Sequence, residues 1–71
     1  MLLNNQIYVV LKEVIGADAY KGGGSWYLSA WIKGKKEPLT AIYETQEQQL
    51  KELKELSDAL DALAARDMEV N

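Results

Sequence analysis

The chain has 71 residues, 48% of them hydrophobic and 27% charged, with eight Lys or Arg against eleven Asp or Glu and a net charge of -3. It contains neither Cys nor His, which excludes disulfide frameworks and Cys/His metal sites and removes the commonest general base and the most readily activated nucleophile. A chain of this length makes one domain, 1–71, burying only about 60% of its unfolded surface, so self-association is the remaining route to extra stability.

The charge is divided unevenly. Residues 1–40 carry Lys12, Lys21, Lys33, Lys35 and Lys36 against Glu13, Asp18 and Glu37, whereas residues 41–71 carry three bases against eight acids. A moderate imbalance of this kind speaks to solubility more than to fold. Residues 1–6 form no basic region leading into an apolar run, and no stretch approaches the roughly 18 apolar residues of a membrane helix. A soluble, cytoplasmic protein is expected.

Taken in order, residues 7–15 are rich in Val, Ile and Tyr and read as a first strand. Ile7, Val9, Leu11 and Ile15 share one side of it and form the better core face, with Tyr8, Val10, Lys12 and Val14 on the other. Residues 16–24, GADAYKGGG, read as a loop ending in three glycines free to adopt positive φ. Residues 25–33 are the second strand, with Trp26, Leu28, Ala30 and Ile32 facing the core and Tyr27, Ser29 and Trp31 facing away. Lys33-Gly34-Lys35-Lys36 is a turn, and Pro38 opens a third strand, 39–44, where its missing N–H matters least. In that strand Leu39, Ala41 and Tyr43 face opposite to Thr40 and Ile42.

A helix follows over about 46–66. Thr45 and Gln48 have the capping-box spacing, Glu47 suits the first turn of a helix dipole, and Glu47 to Lys51 is an i,i+4 pair. Leu50, Leu53, Leu56, Leu60 and Leu63 recur at steps of three and four and make a stripe about 140° wide, suited to a sheet. Lys51, Lys54, Glu55, Asp58 and Arg66 lie opposite. Two heptads at Leu53, Leu56, Leu60 and Leu63 are too few for a coiled coil. Residues 67–71 read as a tail. The expected fold is α+β: a three-stranded antiparallel β-meander packed on one face by a single C-terminal amphipathic helix, β-β-β-α.

One helix is about 10 Å across and covers one side of such a sheet. The other side then carries Tyr8, Val10, Val14, Tyr27 and Trp31, with Ile42 beside them, a large apolar patch for a small monomer. The sequence thus points to a non-catalytic binding or regulatory protein, a homo-oligomer docking a protein partner, with Tyr8, Val10, Tyr27 and Trp31 as interface residues. No cofactor and no metal are expected; Glu55 with Asp58, and Asp58 with Asp61, are helical neighbours on a solvated face.

Two alternatives have residues of their own. Tyr20, Lys21, Gly22, Gly23, Gly24 and Ser25 lack the GxxxxGK[ST] pattern and lead into a strand, yet loop amides with nearby rings suit a nucleotide-like anion. Trp26-Tyr27, Gly34-Lys35-Lys36 and Thr45-Gln46-Glu47 together resemble the arm-type DNA-binding domain of phage and transposon integrases over about half the chain. That resemblance implies a sheet presenting Tyr27, Trp31 and Lys33 to the major groove. The acidic helix departs from it, because phosphate binding needs a basic surface. The small stand-alone format suits a phage, mobile-element or bacterial accessory protein.

Overall fold

A computed structural model describes the backbone of residues 1–70 and the side chains of residues 1–66. Asn4 and Asn5 both take positive φ, 48° and 56°, a conformation Asn tolerates better than most residues. Gln6 N donates to Leu3 O at 2.9 Å across this turn. On either side, β1 (Leu2–Leu3) and β2 (Ile7–Tyr8) pair antiparallel, and Met1 and Val9 extend the ladder with bonds of 2.9 and 2.8 Å. The hairpin drops Leu3 and Val9 into the core, both fully buried.

The expected first strand, 7–15, is therefore not one strand. Its apolar run is shared by the end of this hairpin, a 3-10 turn at Leu11–Glu13 and the start of β3 (Val14–Gly22). The glycine-bearing segment expected as a loop is mostly β3. Gly16, Ala17 and Ala19 have little strand propensity, but pairing along the whole of β4 (Ser25–Ile32) fixes them as a strand, as tertiary context often does. Gly23 and Gly24, at φ 57° and 86°, make the two-residue turn whose twist suits a hairpin, between Gly22 and its partner Ser25.

After β4, Gly34 at φ 81° and a Lys35 N to Ile32 O bond of 3.1 Å turn the chain toward β5 (Leu39–Tyr43), which begins just past Pro38 as expected. The sheet order is β3-β4-β5, antiparallel throughout. Register shifts between Val14 and Gly16, so Ile15 has no partner on β4; at 71% exposed it is not the core residue its sequence position implied. Val14 instead packs against the core.

Thr45 Oγ1 accepts the Gln48 N–H at 3.2 Å, and α1 (Gln46–Val70) starts there. No Gly or Pro interrupts residues 67–70, so the helix runs through the expected tail; Asn71 lies outside the described residues. The core between helix and sheet comprises Leu28, Ala30, Ile32, Ala41, Tyr43 and Leu56, closed at one side by Leu3 and Val9 and flanked by Trp26 and Leu53. The even positions of β4 face inward, as expected.

The helix is rotated away from the predicted stripe at its start. Leu50 is 48% exposed and Gln49, one position earlier, is 2% exposed. The cause is polar: Gln49 Nε2 donates to Tyr20 O at 3.0 Å and to Tyr27 O at 2.6 Å, tying α1 to two strands at once. One turn later, Glu52 Oε1 accepts the Tyr43 hydroxyl at 2.7 Å and also the Asn4 N–H, joining helix, sheet and hairpin. Among the described residues the helix ion pair is Lys54 with Asp58 at 3.6 Å, well exposed and therefore of little consequence; the expected Glu47–Lys51 pair does not form.

Leu56→Ala should cost about 2–5 kcal/mol, because it empties a buried site in a small core, while Leu50→Ala should cost under about 0.5 kcal/mol; urea unfolding of both variants checks this. Burial, then the hydrogen bond to Glu52, then the charges of Glu52 and Glu55 push the Tyr43 phenol well above its ordinary value. Its contribution to stability is full below about pH 10 and is lost as the pH rises beyond that, where the unfolded phenol ionises and the folded one keeps its proton. Alkaline denaturation should therefore be shallower in Tyr43→Phe than in the wild type.

Candidate functional site

Strand alternation places Asp18, Tyr20, Tyr27, Ser29, Trp31, Thr40 and Ile42 on the sheet side opposite α1. Cross-strand pairs bring them together: Tyr20 opposite Tyr27, Asp18 opposite Ser29, Tyr27 opposite Ile42 and Ser29 opposite Thr40. The Tyr20 and Tyr27 rings stack with centroids 5.2 Å apart and planes 19° from parallel. Tyr20, Trp31 and Ile42 are all exposed.

A short polar seam runs between the rings. Ser29 Oγ lies 2.8 Å from Thr40 Oγ1 and donates to the Tyr20 hydroxyl at 3.5 Å. With Thr40 donating to Ser29, the Tyr20 proton is left to point outward. Ser29 is nearly fully buried, so the seam is the floor of the patch and the rings are its walls. Trp31 Nε1 donates to Asp18 Oδ2 at 3.2 Å, which holds the indole across the strands. The seam and the indole bond give the face a fixed shape.

The predicted interface residues divide. Tyr27 and Trp31 share this face, as the alternation implied. Tyr8 and Val10 are exposed but belong to the hairpin and the segment before the 3-10 turn, outside the three-stranded sheet. Tyr20 was expected in the ligand loop; it is a strand residue and half of the aromatic stack. Lengthening the β3–β4 hairpin inward from its glycines, two residues at a time, is the sequence signal that would have found it.

The remaining loop candidates make a tight corner. Gly22 and Ser25 are paired, Gly23 and Gly24 are the turn itself, and the Lys21 ammonium sits 4.9 Å from the Trp26 ring centroid. Lys21 is thus engaged with its own sheet on the side facing α1. Among the described residues no cluster of carboxylates suits a metal ion, and no helix is long and apolar enough to cross a membrane. A separate open groove of about 310 Å³ lies between the 3-10 turn and the later part of α1, lined chiefly by Leu11, Val14, Ile15, Leu60 and Leu63.

No family model, curated protein or solved structure matches this chain.

The corner that positions Tyr20 against Tyr27 depends on positive φ at both central glycines. Gly24→Val should cost about 1–2 kcal/mol through backbone strain, since nothing lies within 4 Å of the added Cβ. Gly23→Asn should be close to neutral because Asn-Gly suits the same turn. Thermal melts of the two variants measure the difference.

Proposed function

We propose that this protein is a non-catalytic docking module whose Tyr20–Tyr27–Trp31 face binds an apolar surface on a protein partner. The observation that carries the reading is that Tyr20, Trp31 and Ile42 stand exposed, with Tyr27 half-buried in the stack, on the side of the sheet opposite α1. Tyrosine and tryptophan are among the residue types that supply most binding energy at protein interfaces, and here the Tyr20 hydroxyl, whose own proton the serine-threonine floor leaves free, offers a hydrogen bond beside them.

Charge favours protein over nucleic acid. The outward positions of the three strands hold Asp18 and no Lys or Arg, whereas binding to phosphates requires several cations on the contact surface. Lys33 stands past the end of β4. A catalytic role draws no support from the face, which has no base placed beside a nucleophile.

The test is site-specific photo-crosslinking in the cell that produces the protein, with the reactive group at Ile42 or, as the control, at Lys54 on the solvated side of α1. Expected is one protein captured from Ile42 and not from Lys54, with capture lost in Trp31→Asp and calorimetry on the purified pair reproducing the loss. Equal capture from both positions, or none from Ile42, overturns the reading.

A further inference from the structure

The two edges of the sheet are treated differently. On β5 the outward backbone of Ile42 is already occupied: Gln6 Oε1 accepts its N–H at 2.8 Å, while Gln6 Nε2 and Asn4 Nδ2 donate to its carbonyl at 2.9 and 2.6 Å. The Gln6 carboxamide thus imitates one peptide group of an added strand and occupies that edge at Ile42, a common kind of protection against unwanted pairing. The β3 edge has no such cover.

Its open groups follow from the register. The Gly23–Gly24 turn closes on the pair Gly22 and Ser25, which exchange both of their hydrogen bonds in a two-residue hairpin. Alternation then makes Tyr20 with Tyr27 and Asp18 with Ser29 bonded pairs and turns the N–H and C=O of Ala17, Ala19 and Lys21 outward. No backbone partner meets them among the described residues. Ala19 and Lys21 are exposed, so α1 does not overhang this edge, and the Lys21 ammonium is drawn back over Trp26 instead of guarding the strand.

We infer that the β3 edge pairs antiparallel with β3 of a second copy, about a two-fold axis through Ala19, to give a continuous six-stranded sheet. The occupant follows from the strand itself. A two-fold centre on any residue of the strand joins the two edges with like faces on the same side, but a centre at Ala19, the midpoint of the regular part 16–22 beyond the Ile15 irregularity, sets all three open residues against open residues, whereas a centre at Asp18 or Tyr20 leaves one of them without a partner. Ala19 meets its own counterpart, and Ala17 meets Lys21, so about six backbone hydrogen bonds form. Small residues at 16, 17, 19 and 22 let the strands approach closely.

On the aromatic side the same register sets Asp18 opposite the other copy's Tyr20. The two aromatic faces become one surface. This pairing does not depend on the docking reading above, because it uses the strand edge and leaves the face open.

Light scattering on the full chain over a concentration series is the test, with amide exchange read residue by residue. Expected is a dimer in which the amides of Ala17, Ala19 and Lys21 gain protection with concentration while those of Asp18, Tyr20 and Gly22 do not change. Ala19→Lys should be a folded monomer, since two lysines would face each other across the axis, and mixing it with Ala19→Glu should restore a dimer of one copy each. Trp31→Asp should still dimerise. A wild type that stays monomeric, a dimer lacking the alternating protection, a dimer that survives Ala19→Lys, or one that Trp31→Asp alone dissolves would each overturn the assignment.

Discussion

A three-stranded sheet has two sides, and this chain supplies a cover for one. The side facing α1 takes mostly small and aliphatic groups, Leu28, Ala30, Ile32 and Ala41, which let a helix come within close packing distance of the strands. Two rings stand on that covered side: Tyr43, whose hydroxyl Glu52 receives, and Trp26 at the flank of the core. Tyr20, Tyr27 and Trp31 are placed by strand alternation on the side without a helix, and the shape of that face is fixed by the Ser29–Thr40 seam and the Trp31–Asp18 bond.

The short hairpin at the start of the chain does the work that a fourth strand does in larger sheets. Leu3 and Val9 close one side of the core, Asn4 meets Glu52, and Gln6 occupies the β5 edge. All of this depends on two consecutive asparagines holding positive φ, which places the Leu3 and Gln6 side chains on their separate tasks. The β3 edge at the far side of the sheet receives no equivalent among the described residues, so the two edges differ.

Much of this architecture is written in the sequence. The alternation in β4, the turn at Gly34, the start of β5 after Pro38 and the cap at Thr45 follow from local chemistry, and with them the layout of three strands and a helix. β3 is not written locally: GADAYKG has weak strand character and becomes a strand only because SWYLSAWI lies beside it. The same holds for the hairpin, where two-residue strands leave almost no periodic signal. Of the candidate site, Tyr27 and Trp31 were readable from period two alone, whereas Tyr20 required the hairpin register, and Tyr8 and Val10 were misplaced by reading one strand through a 3-10 turn.

The leucines of α1 repeat with a spacing that looks much the same after a shift of one helical turn, so greasy contacts by themselves specify the helix's position along the sheet poorly. Gln49 and Glu52 remove that ambiguity, since their partners, two main-chain oxygens, a phenol and one amide, exist at a single place. Polar groups inside a small core act here as a vernier. A version carrying leucine at both positions would trade that singular alignment for adhesion, and its amide spectrum would display several slowly exchanging alignments in place of one set of sharp signals.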